Sequence, residues 1–302
     1  MSFTPPTAEQ IQQSFPQITE SHFLKQGGFK AVYRVAIDGR TEAFKLVNIP
    51  RLPQPELAEQ FRAESLGRVK REVQVLGDCH SPVLVKLGSI APCEVQIAGL
   101  DFVAYSEEFL AGEDLRKLIQ TNARPSEVEL RQLLTCLLKA IRELWALPGR
   151  FIHRDIKPDN VMRLADAERP FVLLDLGIAF SVFDTPLTFD AQNRMPPGTF
   201  RYLAPEMLQL NFRETLDFRC DVYAAGLTVF EFAAGQHPLA RNRDDLLTTL
   251  SRIAKETPKA LKDFRPDLAP WFCQTVDRML KKLPALRPAN LDALIARLEG
   301  NA

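Results

Sequence analysis

The sequence predicts an α+β chain in two parts: a small antiparallel β-sheet carrying one main helix, then a larger, mostly helical half. Three observations carry this. Strand-like alternation is concentrated in the first third of the chain, where a single long helical pattern interrupts it. After Gly112, apolar residues recur at spacings of three and four instead. No internal repeat or low-complexity segment competes with that division. At 302 residues the chain has room for one large domain or two lobes with a sizeable core.

The elements follow in order. Residues 1–16 read as a flexible N-terminal tail with at most a short helix around Thr7–Ser14. From Ile18 to Val47 the pattern is that of strands: Val32, Arg34 and Ala36 alternate with Tyr33, Val35 and Ile37, and Asp38-Gly39 is a hairpin signal. Pro50, Pro53 and Pro55 make the next connector too rigid to be helical throughout. A helix is expected from about Glu56 to Gly77, with Phe61, Leu66, Val69, Val73 and Leu76 near helical spacing. Two further strands are expected at 83–90 and 93–106. Ser126-Glu127-Val128-Glu129 forms a capping box that opens a helix to about Leu147, which Pro148-Gly149 ends. A short strand starts at Val161-Met162, and the segment from Ile178 to Phe200 reads as a mobile loop. Helical patterns return at 221–234, 243–255, 268–281 and 289–299.

Composition narrows the function classes. Apolar residues make up 46% and charged residues 25%, an ordinary soluble profile. Lys plus Arg and Asp plus Glu are 38 each, so bulk charge points neither to nucleic acid nor to an anionic membrane as partner. Five scattered cysteines without a Cys-x-x-Cys pair fit reduced thiols. The N-terminus has neither a basic leader nor an apolar core, and no run approaches the roughly 18 apolar residues of a spanning helix. The expected location is cytoplasmic.

The chemistry is concentrated in His153-Arg154-Asp155-Ile156-Lys157-Pro158-Asp159-Asn160. Fifteen residues beyond Asn160 stands Asp175-Leu176-Gly177, directly behind the apolar run Phe171–Leu174. A polar turn accounts for Pro158-Asp159-Asn160 alone, but not for an acid, a cation and an amide together with a second acidic loop. The two stretches resemble the catalytic loop and the metal-binding Asp-Phe-Gly loop of the eukaryotic-type serine/threonine protein kinases. Phosphoryl transfer needs positioning and charge neutralisation more than covalent help. The resemblance makes Asp155 the acceptor of the attacking hydroxyl's proton and Lys157 the contact to the transferred phosphate. Asn160 and Asp175 would hold Mg²⁺, a hard cation that prefers oxygen.

The resemblance runs over about residues 18–298 and implies a bilobal protein-kinase-like fold. The tail at 1–16 would precede a kinase domain at 17–302, with an N-lobe at about 17–107, a hinge at about 108–114 and a C-lobe at about 115–302. Lys45, at the end of Ala43-Phe44-Lys45, falls where the family keeps its phosphate-contacting lysine, and Glu72 matches the helix glutamate that pairs with it. Glu64 is the alternative partner. Leu24 to Val32 resembles the glycine-rich loop, with Gly27 and Gly28 present but Lys25 and Lys30 where glycines usually stand. Glycine there permits close backbone approach to phosphate, so their loss bears on nucleotide packing. Val32, Ala43 and Met162 fall where the family sandwiches adenine, and Glu108 and Leu110 where hinge backbone reads its edge. Asp114 would meet the ribose. Glu107 occupies the back-pocket position, where a carboxylate is unusual and has no account from sequence.

Farther on, Gly198-Thr199-Phe200-Arg201-Tyr202-Leu203-Ala204-Pro205-Glu206 matches the segment closing the activation loop, with Thr199 reaching toward Asp155 and Lys157. Glu206 and Arg287 would form a buried structural ion pair, Asp221 would anchor the catalytic-loop backbone, and His153 would pack rather than react. Arg154 beside Asp155 marks kinases ordered by a loop phosphate, with Ser181, Thr185 and Thr188 as candidate autophosphorylation sites. The implied reaction is transfer of the ATP γ-phosphate to serine or threonine hydroxyls of protein substrates. A pseudokinase scaffold that binds nucleotide without turnover is the alternative, favoured by the eroded glycine loop. A small-molecule kinase is the third reading, opposed by the Gly-Thr to Ala-Pro-Glu segment.

Overall fold

The structure, a computed structural model, describes residues 3–27, 30–49, 55–176, 180–181, 199–209, 216–241 and 243–300. It comprises two compact units, one of residues 1–78 and 85–111, the other of 79–84 and 112–302.

The smaller unit is built on a five-stranded antiparallel sheet in the order β1-β2-β3-β5-β4. Its strands are β1 (Ile18–Gln26), β2 (Lys30–Ile37), β3 (Arg40–Ile49), β4 (Cys93–Ile97) and β5 (Leu100–Glu108). Alternation sorts side chains to two faces. Phe44, Leu46, Phe102 and Ala104 point into one core, while Val47, Val103 and Tyr105 point to the other, against Leu66, Val69 and Val73 of helix α2 (Pro55–Asp78). The expected helix is therefore present, and Leu66, Val69 and Val73 of the predicted stripe pack on the sheet.

The first face is covered by the N-terminus, which corrects the expected flexible tail. Helix α1 (Ala8–Ser14) opens with a capping box between Thr7 and Gln10. Ile11 is fully buried, the Phe15 ring packs edge-on against Phe44 with centroids 4.9 Å apart, and the Tyr33 hydroxyl donates to the Pro6 carbonyl at 2.8 Å. An apolar sheet face needs a cover, and this segment supplies it.

Two strand expectations also change. The stretch 93–106 is a hairpin rather than one strand, turned by Ala98 and Gly99, both at positive φ. Alanine seldom adopts that conformation, so the turn carried no sequence signal. The stretch 83–90 forms only isolated bridges, Leu84 with Leu173 and Leu87 with Glu107. Side chains add to the backbone bonds that hold it: the Glu42 carboxylate accepts from the Ser89 amide at 3.0 Å and from the Ser89 hydroxyl at 2.8 Å, and the Ser106 hydroxyl accepts from the Ile90 amide. Gly88 fits beneath this network because a Cβ there would lie 2.4 Å from Ser106 Oγ and 2.5 Å from Glu42 Oε2.

The larger unit is organised by α4 (Glu127–Ala146), which follows α3 (Leu115–Gln120). The expected capping box of Ser126 and Glu129 opens α4, and Leu130, Leu133, Leu134, Leu137, Leu138 and Ile141 form its buried stripe. Helix α5 (Arg219–Ala234) is buried almost all round, so it forms the unit's centre rather than its surface. Helices at Leu246–Lys255, Pro270–Met279 and Leu291–Gly300 lie close to their expected positions. Short strands complete the unit: β6 (Gly112–Asp114), β8 (Val161–Leu164) and β9 (Phe171–Leu173) form one sheet, and β7 (Phe151–Ile152) pairs with β10 (Phe180–Ser181). Most of the expected loop at 178–200, including Thr185 and Thr188, lies outside the described residues. No helix among the described residues is long and apolar enough to cross a membrane, and all five cysteines are free thiols.

Candidate active site

Helix α4 ends at Ala146, and the chain passes through Pro148-Gly149 into β7. The octapeptide starts directly after that strand, so its first residues leave a packed element in a fixed direction. His153 is fully buried. Its Nε2 lies 3.1 Å from the Leu174 carbonyl, and its Nδ1 faces the Asp155 amide at 3.3 Å. Burial holds its pKa down to about 4, so the ring is neutral across the physiological range and serves as a spacer, as the resemblance implied. The Asp221 carboxylate, buried at the start of α5, accepts from the backbone amides of His153 at 2.7 Å and Arg154 at 2.9 Å. Burial raises its pKa to about 6 against those two hydrogen bonds.

Arg154 has φ of 65° and Asp175 φ of 58°. Both are non-glycine residues in the left-handed region, a strained conformation held where surrounding bonds fix it. The Asp221 bonds hold Arg154; the Leu174 amide bond to the Asn160 carbonyl, at 2.8 Å, fixes the chain just before Asp175.

The side chains of Asp155, Lys157 and Asn160 form one cluster. Lys157 Nζ donates to both Asp155 oxygens at 2.7 and 2.9 Å. Asn160 Nδ2 donates to Asp155 Oδ2 at 2.8 Å and to the Asp155 carbonyl at 2.9 Å. The Asp155 pKa is raised, burial being the chief cause and Asp175 a further one, while Lys157 and Asn160 oppose the shift. A carboxylate with increased proton affinity, kept ionised by an adjacent ammonium, suits a base that accepts a hydroxyl proton. With its amide nitrogen committed to Asp155, Asn160 offers its carbonyl oxygen to a ligand, and Asp175 offers a carboxylate. This all-oxygen donor set fits Mg²⁺.

Asp159, in the same octapeptide, is engaged by Arg116, whose Nε and Nη2 both donate to it at 3.2 Å. Arg116 also donates to Glu231 at 2.6 Å and to the Tyr202 hydroxyl, which in turn donates to Glu231. Burial lowers the guanidinium pKa, but Tyr202, Glu231 and Asp159 outweigh it and hold the value above the usual. Nothing in the spacing of these four residues marks them as neighbours in sequence. Glu206 and Arg287 form the expected buried pair, with contacts of 2.6 and 2.7 Å. Arg287 further donates to the carbonyls of Arg219, Lys281 and Lys282.

In the smaller unit, Lys45 and Glu72 are both buried. Glu107 presents a carboxylate oxygen to Lys45 Nζ at 2.6 Å. Glu107 thereby acquires the physical role that the sequence lacked. Gly27 donates its amide to the Lys30 carbonyl at 2.7 Å. Val32 is buried and Ala43 partly so. Glu108 has a carboxylate oxygen 2.8 Å from the Lys86 amide, which donates to it. Leu110 is half-buried in this unit, as Met162 is in the larger one.

Asp114, expected at the ribose, is the N-cap of α3, accepting from the Lys117 amide at 2.8 Å. Thr199 begins a 3₁₀ turn, Thr199–Tyr202, and Ser181 ends β10; their side chains lie outside the described residues, as does Gly28.

Residues 19–297 match the family model described as the protein kinase domain. The chain is similar to the dual specificity mitogen-activated protein kinase kinase mek-1 of Caenorhabditis elegans, 32% identical over 182 residues, covering 60% of this chain and 48% of that protein. It is 29% identical over 255 residues to the serine/threonine-protein kinase PknF of Mycobacterium tuberculosis, covering 80% and 50%. It is 26% identical over 303 residues to the serine/threonine-protein kinase pkn3 of Myxococcus xanthus, covering 98% and 52%. The matches take in about half the length of these relatives. The catalytic octapeptide, the strained Arg154 and Asp175, and the family match over nearly the whole chain lead to one assignment. The chain belongs to the eukaryotic-type serine/threonine protein kinase family.

Proposed function

We propose that this protein transfers the γ-phosphate of ATP to serine or threonine hydroxyls of protein substrates. The observation that carries the proposal is the cluster in which Lys157 and Asn160 both donate to Asp155. Asp155 accepts the proton of the attacking hydroxyl. Lys157 neutralises charge on the transferring phosphate and moves little to do so. Lys45 meets the α- and β-phosphates. Asn160 and Asp175 hold Mg²⁺, which supplies charge neutralisation at the phosphate oxygens when bound. The resemblance gives Lys157 and Thr199 the places near the base that favour serine and threonine over tyrosine. Arg154 supports an active state ordered by a phosphate on Ser181, Thr185 or Thr188.

The scaffold reading draws on Lys45 being held by the buried Glu107 carboxylate and on Lys25 and Lys30 in the glycine loop. Incubation with labelled ATP, Mg²⁺, a protein pool and a metabolite pool separates the readings. Acid-stable label on serine and threonine is expected. Label on a metabolite alone supports the small-molecule reading, and nucleotide-induced stabilisation without any transfer supports the scaffold.

A further inference from the structure

The sequence left Glu107 unexplained, and the structure shows it buried on β5 with its carboxylate 2.6 Å from Lys45 Nζ. The two residues come from adjacent strands. Ala43 stands opposite Glu107 and Lys45 opposite Tyr105, so Lys45 and Glu107 are diagonal neighbours on one face of the sheet. Their side chains are only 7% and 2% exposed. A lone carboxylate at such a site would be strongly disfavoured, and the ammonium makes it tenable. The Tyr105 ring adds a second contact, 5.5 Å from Lys45 Nζ.

The backbone around Glu107 is fixed from both sides. Ser106 donates to the Ile90 carbonyl at 3.0 Å and accepts from Gly88 at 2.8 Å, and the Glu108 amide donates to the Lys86 carbonyl at 2.9 Å. Glu72, by contrast, belongs to α2, a helix laid on the sheet through side-chain packing. A carboxylate oxygen of Glu72 lies within 4.8 Å of one of Glu107. Two buried carboxylates thus lie close together: Glu107, borne by the sheet that carries the lysine and in contact with it, and Glu72, borne by a helix.

We infer that Glu107 is the principal positioning residue for Lys45, so that the sheet itself, more than helix α2, sets where the ammonium meets the nucleotide. The inference rests on the kinase reading. A lysine held within a hydrogen-bonded sheet keeps its place through any displacement of the helix. Nucleotide handling then tolerates loss of the Glu72 charge better than loss of the Glu107 charge.

The test compares Glu107→Gln, Glu107→Asp and Glu72→Gln for kcat and for the KM of ATP, with melting curves of each. Glu107→Gln is expected to lower kcat at least thirtyfold, Glu107→Asp to recover at least a third of that loss, and Glu72→Gln to lower kcat less than tenfold. A larger loss in Glu72→Gln than in Glu107→Gln overturns the inference. So does a Glu107→Gln loss that Glu107→Asp fails to relieve. Should Glu107→Gln not fold, or should the wild type bind nucleotide without transferring phosphate, ADP affinity decides through Lys45→Met, Glu107→Met and the double variant. The second of those events indicts the kinase reading, yet non-additivity of at least tenfold still supports the positioning role. Additive effects refute it.

Discussion

The buried Asp221 carboxylate grips the backbone amide of His153 at 2.7 Å, joining the start of α5 to the start of the catalytic loop. The neighbouring Arg154 amide shares the same carboxylate at 2.9 Å. Both amides occupy the turn that leads into Asp155, so α5 sets the position of this proposed base through the main chain. Asp221→Asn keeps one acceptor oxygen and leaves one buried donor poorly satisfied, at a loss of about 1–3 kcal/mol. The expected outcome is a folded protein of lower denaturation midpoint whose kcat falls by at least tenfold while the KM for ATP moves little. An unchanged kcat removes Asp221 from the positioning of the loop.

Titration gives a second prediction. Burial holds His153 and His237 each at about 4, against about 6.5 in an unfolded chain. Folding therefore expels a proton from each ring between those values. The stability this represents is complete above about pH 6.5 and lost as pH falls toward 4, at about 1.4 kcal/mol per pH unit per ring. Asp221, raised to about 6, acts with the opposite sign. Its contribution is complete below the unfolded value near 4 and lost as pH rises through 6. His237 Nδ1 accepts from the amides of Leu239 and Ala240 at 3.1 and 2.8 Å, a role that an asparagine oxygen can fill. Between pH 4.5 and 6, the slope of unfolding free energy against pH should be shallower in His237→Asn than in wild type by about 1.4 kcal/mol per unit. Parallel slopes contradict the assignment of a neutral buried ring.

Glu206→Ala removes the partner of an arginine whose side chain is wholly buried. Breaking such a pair from one side is destabilising by about 3–5 kcal/mol. Arg287 would keep its carbonyl contacts but not its charge balance. Chemical denaturation should show a loss of that size, with activity lost in step with the folded fraction. A variant of normal stability that lacks activity would instead make Glu206 a functional residue.

Ile11 is fully buried although it lies in a segment that reads as a tail. Ile11→Ala should destabilise the protein by about 2–5 kcal/mol, the usual range for a large apolar residue truncated in a core. Equal melting temperatures for variant and wild type would show that α1 contributes nothing to the fold.

The elements that sequence revealed are those whose signals are local. Ser126 and Glu129 announce α4 at its own terminus, Asp38-Gly39 announces a hairpin, and the octapeptide brings Asp155, Lys157 and Asn160 together within six residues. What sequence hid depends on partners far along the chain. The identity of the carboxylate against Lys45 follows from the register of β3 on β5, which places Glu107 diagonal to a residue 62 positions earlier. The Asp159–Arg116–Glu231–Tyr202 network likewise joins α3, the catalytic loop, α5 and a 3₁₀ turn. The burial of Ile11 and Phe15 was hidden because seven residues of α1 are too short a pattern to distinguish a docked helix from a frayed one.

Asp155, set by Lys157, Asn160 and Asp221, is the proposed base of a phosphoryl transfer. That role is tested most directly by following labelled γ-phosphate from ATP and Mg²⁺ onto protein with the wild type and with Asp155→Asn side by side. Label on serine or threonine is expected with the wild type, at least a hundredfold less with Asp155→Asn, and equal stabilisation of both by ATP. Transfer at the same rate by Asp155→Asn, or none by a wild type that binds ATP, would contradict that role.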